Sequence, residues 1–245
     1  MHLQFIGSGD AFGSRGRFNT CIHVTGDQTN FLIDCGASSL IALKAKEVAL
    51  NRIKTIFITH FHADHFGGIP FLMLDAQFFS KRREPLTIAG PQGLAEWYKR
   101  VMETAFPGSS KTKPLFKLSF VELAPKVIAT VDGVTVHPFR VNHGNLGGPF
   151  FAYKFEVDGR SIAYTGDTEW TDELIKAGAG VDLFIAEAYF YDKKVRFHLD
   201  YASLKERLPR IQPKRLVLTH MSEDMLNRLE SVDHETAEDG KIINL

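Results

Sequence analysis

Short apolar runs broken by turn residues open the chain and predict strands over residues 2–7, 19–25 and 30–35. Leu40, Leu43 and Val48 then recur at helical spacing, which predicts a helix over 38–49. The block Lys54-Thr55-Ile56-Phe57-Ile58-Thr59 reads as a buried strand, and a helix is expected over about 68–80. A strand over 86–89 ends at Gly90-Pro91, where Pro91 suits the first turn of a helix running to about 105. Beyond a loop at 107–114, strands are predicted over 115–122, 126–131, 133–141, 149–157 and 160–165, with hairpin turns at Asp132-Gly133 and Asp158-Gly159. The chain then alternates: helix 171–177, strand 181–187, helix 201–208, strand 215–219 and helix 222–228. Two sheets packed face to face, with helices on both outer faces, would bury this order of elements. The expectation is an α/β (α+β) protein, a four-layer αββα sandwich of two mixed sheets, built as one domain over residues 1–245.

Composition changes this picture little. With 44% hydrophobic residues the 245-residue chain can fill a sizeable core. Lys+Arg and Asp+Glu stand at 29 each, so no overall field favours a polyanion. Lys81-Arg82-Arg83 and Lys111-Thr112-Lys113 read as solvated loops. Cys21 and Cys35 cannot build a disulfide framework and read as small buried hydrophobes. The strand pattern begins at once, with no signal peptide ahead of it and no run of membrane-spanning length, so a cytoplasmic protein with no membrane partner is expected. Gly7-Ser8-Gly9-Asp10-Ala11-Phe12-Gly13 has the look of a dinucleotide loop, but its third glycine comes one residue late and a strand follows where a helix is required. It is read as a turn.

The candidate chemistry is concentrated at His60-Phe61-His62-Ala63-Asp64-His65, directly after the strand 54–59. Three imidazoles and a carboxylate crowded onto one loop are costly in desolvation and repulsion unless a cation organises them. Imidazole suits zinc and its neighbours among divalent ions. His143, Asp167 and His220 each follow an apolar strand run, where sheet-end loops can converge on one site.

These residues carry a resemblance to the metallo-β-lactamase fold superfamily over essentially the whole length. They are Thr59 to Gly68, Asn142-His143-Gly144, Tyr164-Thr165-Gly166-Asp167-Thr168 and Leu218-Thr219-His220. By that resemblance His60, His62 and His143 would hold one metal ion, Asp64, His65 and His220 a second, and Asp167 would bridge them. The implied cofactors are two divalent ions, zinc first, with Mn²⁺ or Fe²⁺ able to share such ligands. The implied chemistry is hydrolysis by a hydroxide shared between cations about 3.5–4 Å apart. Two Zn²⁺ less Asp64, Asp167 and hydroxide leave about one positive charge, suited to a small anionic substrate.

Within the superfamily, His62 disfavours the oxygen-reducing di-iron relatives, Asp167 the antibiotic-hydrolysing lactamases, and the short tail of about one helix and two strands after His220 the glyoxalase II-like thioesterases. Ala186-Glu187-Ala188 at a strand end, with Phe197-His198-Leu199-Asp200 before the next helix, resembles the phosphodiesterase branch, which includes the tRNA 3′-processing endonuclease and a cyclic-phosphate phosphodiesterase. There the histidine serves the phosphoryl group or the leaving oxygen and the glutamate orients it, so His198, Glu187 and Asp64 are the candidate catalytic residues. Phe5 to Gly9, Arg17 to Thr20 and Phe31 to Gly36 extend that resemblance, and Asp34 suits a partner for a ligating histidine. Only residues 144–166 separate His143 from Asp167, too few for the arm with which tRNA-processing relatives grip their substrate. Neutral charge agrees, so tRNA is not expected as a partner.

The leading expectation is a phosphodiesterase on small cyclic or linear phosphodiesters. Carboxylic-ester or lactone hydrolysis by the same metals stays open, as does a non-catalytic metal-binding module. Phe61, Phe66, Phe150, Phe151, Tyr189, Phe190 and Tyr191 neighbour the site loops, with core packing the default for most of them. Relatives are often dimers, so a homodimer is expected by analogy alone.

Overall fold

A computed structural model describes residues 1–245. The chain begins with β1 (His2–Gly7), β2 (Cys21–Thr25), β3 (Asn30–Ile33), α1 (Ser39–Ala45) and β4 (Thr55–Phe57). Next come α2 (Ala63–Phe66), α3 (Ile69–Leu74), β5 (Leu86–Pro91), α4 (Leu94–Ala105) and β6 (Leu118–Leu123). A run of antiparallel strands follows: β7 (Ala129–Val131), β8 (Val134–Arg140), β9 (Phe151–Val157) and β10 (Arg160–Tyr164). Alternation returns with α5 (Glu173–Gly178), β11 (Leu183–Glu187), α6 (Tyr201–Ile211), β12 (Leu216–Thr219) and α7 (Glu223–Leu226), and the chain ends with β13 (Glu235–Thr236) and β14 (Ile242–Asn244).

Two seven-stranded sheets result, ordered β14-β1-β2-β3-β4-β5-β6 and β13-β12-β11-β10-β9-β8-β7. Each is mixed: β1, β2 and β3 pair antiparallel and β3 to β6 parallel, while β7 to β10 pair antiparallel and β10 to β13 parallel. Parallel strands need both faces covered, which is why β11 and β12 are apolar at nearly every position. Leu183 and Ile185 of β11 face the inter-sheet core, with Phe31, Phe57 and Phe155, while Phe184 and Ala186 face Tyr201, Leu204 and Ile211 of α6. On the other side Leu32, Ile56 and Ile88 meet Leu43, Ile69, Leu72 and Met102 from α1, α3 and α4. The layers are therefore helix, sheet, sheet, helix, as the hydrophobic pattern predicts. Asp132-Gly133 and Asp158-Gly159 turn with both residues at positive φ, the geometry a two-residue hairpin requires.

Five local expectations are corrected. Pro91 does not open a helix: β5 stays paired with β6 through Pro91 opposite Leu123, and α4 starts only after Gly93, at φ 91°. The loop carrying His60–His65 contains a short helix, α2, and the helix expected over 68–80 changes to a wider π turn at Asp75–Phe79. The strand expected to 59 ends at Phe57, because the backbone then turns to make bonds into the site. Arg82 is not solvated: it is 3% exposed, and its guanidinium donates to the carbonyls of Leu50, Ile53, Glu84 and Pro85. Cys21 and Cys35 are buried free thiols. No helix is long and apolar enough to cross a membrane.

Candidate active site

The candidate residues gather at the same end of the two sheets, in strand ends and in the segments that leave them. His60 to His65 follow β4, His143 follows β8, Asp167 follows β10, Glu187 ends β11 and His220 follows β12. Parallel strands deliver their carboxyl ends to one edge, and the loops there are free of ladder bonding. Gly36 lets the loop after β3 touch the His-rich loop, since a Cβ there would stand 2.2 Å from the Asp64 carbonyl oxygen. Asp34, Phe197 and His220 all hold positive φ (60°, 73° and 55°), a conformation that costs free energy for residues other than glycine and collects at functional sites.

Four overlapping groups of donor atoms form, two of them through His198 (His143 with Asp167, and Glu187 with His220). Of the remaining two, His60, His62 and His143 make one, and Asp64, His65, Asp167 and His220 the other, the atoms in each lying within 4.8 Å of one another. Asp167 reaches across: its carboxylate is 3.2 Å from His65 Nε2, 3.5 Å from His220 Nε2 and 3.7 Å from His143 Nε2. Most rings are fixed from behind. His65 Nδ1 donates to Asp34 Oδ2 at 2.7 Å, His143 Nδ1 to the Phe197 carbonyl at 2.8 Å, and His62 Nε2 to the Leu146 carbonyl at 3.2 Å. Because a carbonyl has no proton to give, the opposite nitrogens of His143 and His62 carry lone pairs into the site. His143 Nε2 and His62 Nδ1 thus face each other at 3.1 Å, two acceptors with nothing to share. At His65, by contrast, burial opposes the charge but Asp167, Asp64 and Asp34 outweigh it and raise the ring well above its ordinary range.

The electrostatics show the same tension. Burial pushes His60 down, and burial takes His143 down to about 4. At His220 burial opposes the imidazolium, but the Asp167 and Asp64 carboxylates outweigh it and take the ring up to about 9. Burial likewise opposes ionisation of Asp64, yet His65 and His220 hold it well below the usual carboxylate range. His60 Nε2, His65 Nε2 and Asp167 Oδ1 are buried without a hydrogen bond of acceptable geometry. The unpartnered His220 Nδ1 stands on the Glu187 side of its ring, at 4.0 Å, and Nε2 faces Asp64 and Asp167. Orphaned donors and acceptors of this kind, converging from imidazole and carboxylate, fit a divalent cation.

A second constellation stands beside the first. Glu187 is fully buried, accepts the Thr168 N–H with one oxygen, and accepts from His198 Nδ1 at 2.9 Å with the other. Burial opposes the charge on His198, and Glu187 more than compensates, so the ring is raised above its ordinary range. His198 lines a cavity of about 310 Å³ with Asp64, Asp167 and His220. Of the seven aromatics expected near the site, only Tyr189 lines that cavity, with its ring stacked on His198 at 4.5 Å. Phe61 stacks on Trp97, Phe66 and Phe151 are core, Phe150 backs the rings of His60, His62 and His143, Tyr191 packs on Tyr201, and Phe190 meets Tyr189 edge-on. Sequence reasoning missed Phe12, Arg196 and Phe197, which complete the cavity wall. Arg196 and Phe197 sit just before His198 and were open to the argument that singled it out. Phe12 lies in the glycine-rich turn set aside as structural.

The family described as Anti-Pycsar protein Apyc1 matches residues 1–240. The chain belongs to that family. Among curated relatives of this Apyc1-family chain, Ribonuclease Z of Listeria monocytogenes is 26% identical, covering 91% of this chain and 89% of that protein. Among solved structures, the short form of human tRNase Z is 28% identical with a TM-score of 0.78, covering 100% of this chain and 99% of that one. The metallo-β-lactamase fold protein YhfI from Bacillus subtilis superposes with a TM-score of 0.81 at 19% identity, covering 99% of each chain. The fold is the metallo-β-lactamase fold, and the protein is a metal-dependent hydrolase of the phosphodiesterase type.

One expectation is overturned by these likenesses. The missing arm and neutral charge make tRNA an unexpected partner, yet Ribonuclease Z and tRNase Z match nine-tenths of the chain or more. Net charge sums over the whole surface and does not describe the mouth of the site, where Arg196 stands.

Proposed function

We propose that this chain is a dinuclear phosphodiesterase acting on small cyclic or linear phosphodiesters, working as one metallo-hydrolase domain over residues 1–245. His60, His62 and His143 hold one divalent cation, Asp64, His65 and His220 the other, and Asp167 serves both. The observation that carries this reading is Asp167, buried between two donor groups with one carboxylate oxygen unpartnered. Zinc is the first choice, with manganese and iron as alternatives. When bound, such ions supply Lewis acidity, bringing water towards ionisation near neutral pH and offsetting charge on the phosphoryl oxygens. His198 gives its proton to the leaving oxygen: Glu187 occupies Nδ1, which leaves Nε2 for the substrate. Glu187 keeps that ring oriented and favours its protonated form. Burial first, then the acids around it, takes the Tyr189 hydroxyl up to about 12, so it is a hydrogen-bond donor and not a base. A tRNA substrate is the second reading, favoured by the relatives named above.

The test is a substrate panel on zinc- or manganese-reconstituted protein: bis(p-nitrophenyl) phosphate, cyclic nucleotides, a precursor tRNA, a phosphomonoester and a lactone. Turnover of diesters is expected. His198→Ala should slow diesters with alkoxide leaving groups by about 10²–10⁴-fold and spare bis(p-nitrophenyl) phosphate, whose leaving group needs no proton. Lactone turnover alone would move the protein to the ester hydrolases. Equal slowing of both diester types would remove His198 as the acid.

A further inference from the structure

The glycine-rich turn after β1 has a feature that a mere turn does not need. Phe12 is 82% exposed, more than any other phenylalanine in the chain, yet it lines the same cavity as Asp64, Asp167 and His220. An aromatic ring left in water is unremarked when it sits on a mobile loop, but this loop is tied down. Asp10 is fully buried, and its carboxylate accepts the N–H of Phe12 at 3.2 Å, the N–H of Ser14 at 2.9 Å and the Ser14 hydroxyl at 2.8 Å. Asn19 Nδ2 donates to the Asp10 carbonyl at 3.0 Å. Below, Asp239 accepts from the Ser8 N–H, the Ser8 hydroxyl and the Phe18 N–H, each at 2.8 Å. The loop is also hung on the site itself, since the His220 N–H donates to the Ser8 carbonyl at 3.1 Å. Its backbone is thus fixed relative to a candidate metal ligand, and the one large group it offers to the cavity is a bare ring.

Pre-ordering an exposed aromatic beside a phosphoryl-binding site lowers the cost of stacking a flat group that is joined to the phosphate. We infer that Phe12 is the stacking platform for the nucleobase attached to the scissile phosphodiester, and that the enzyme distinguishes nucleotide diesters from base-free ones through it. This rests on the phosphodiesterase reading above. Because every base has a π face, the contribution is shared by all four bases.

The test is calorimetric titration of the metal-loaded protein with adenosine, cytidine, guanosine and uridine 5′-monophosphates, and with ribose 5-phosphate. The nucleotides should bind about tenfold more tightly than the sugar phosphate. Phe12→Ala should erase that preference and shift the affinity for ribose 5-phosphate by less than about twofold, while Phe12→Trp restores it. No base preference in the parent protein, or a preference that survives Phe12→Ala, would overturn the inference. So would a change in sedimentation behaviour with the preference intact, which would assign the ring to contact between copies of the chain. Diester hydrolysis, followed in parallel, keeps the two ideas apart. Base-dependent binding without turnover sinks the diesterase and leaves Phe12 its role. Turnover with binding indifferent to Phe12 does the reverse.

Discussion

Strand β11 is preceded by one acid, Asp182, and ends in another, Glu187, and the two titrate in opposite directions. Asp182 accepts from Lys214 Nζ at 2.9 Å and from the Ser161 N–H at 2.8 Å, and these donors push its carboxyl down to about 2. Glu187, sealed at the far end, is raised by burial despite its bond to His198. The same contrast divides the two ends of the sandwich. Around the starts of β4 and β5 lies the larger cavity, about 670 Å³, lined with polar groups that mostly serve one another. There Lys54 donates to the Gln28 carbonyl, Asp132 accepts the Thr55 hydroxyl, and Asn51 and Ser80 bond mutually; only the Thr29 hydroxyl is buried and unpartnered. The opposite end has less than half the volume and three orphaned atoms on its candidate ligands, His60 Nε2, His65 Nε2 and Asp167 Oδ1. Unsatisfied buried groups mark the reactive end better than volume does.

The largest effect that would break this contrast is expected at Asp167. Asp167→Ala removes the one carboxylate that approaches donors of both groups. Diester turnover should be lost and the metal content should fall by at least one equivalent, with the fold intact by circular dichroism. Full metal content and turnover in that variant would show the two groups to be independent of Asp167.

Legibility in the sequence follows the same division of labour. Four ligands on the loop after β4 are visible because crowding itself is the signal. His143, Asp167 and His220 arrive singly, and only their shared position after strands, together with family resemblance, ties them to the cluster. The sandwich was readable because parallel strands such as β11 and β12 are apolar on both faces while hairpin strands alternate. What hid was tertiary. Arg82 reads as one more basic loop residue until four carbonyls close around it. Phe12 reads as part of a turn, because nothing local says that Asp10 is buried beneath it. Pro91 reads as a helix start because its pairing with β6 is a long-range fact.

A smaller effect sharpens the contrast from behind the ligands. Asp34 is fully buried, holds His65 Nδ1 and accepts the Thr59 N–H at 2.8 Å. Asp34→Asn keeps the shape and tolerates the positive φ, but sets an amide against a ring N–H and weakens the fixed tautomer. Metal affinity, measured by competition with a chelator, should fall by about 10–100-fold. Unchanged affinity would mean that the geometry of His65 is set by packing alone.

The smallest effect belongs to the opposite end. A folded-state carboxyl held at about 2, against an ordinary value of 3.8, contributes stability that is fully present above the ordinary value and is lost as pH falls through about 2. Asp182→Asn should therefore lower Tm by roughly 2–4 °C at neutral pH. The gap between variant and parent should narrow as the medium is taken towards pH 2, where the parent carboxyl is itself protonated. Metal content and diester turnover should not change, because β11 carries Asp182 a full strand length from Glu187. A gap in Tm that stays constant down to pH 2 would assign the effect to the hydrogen bonds with Ser161 and not to the charge shared with Lys214. A fall in turnover at neutral pH would show that strain at the start of β11 reaches His198, and the two ends would then no longer be separable.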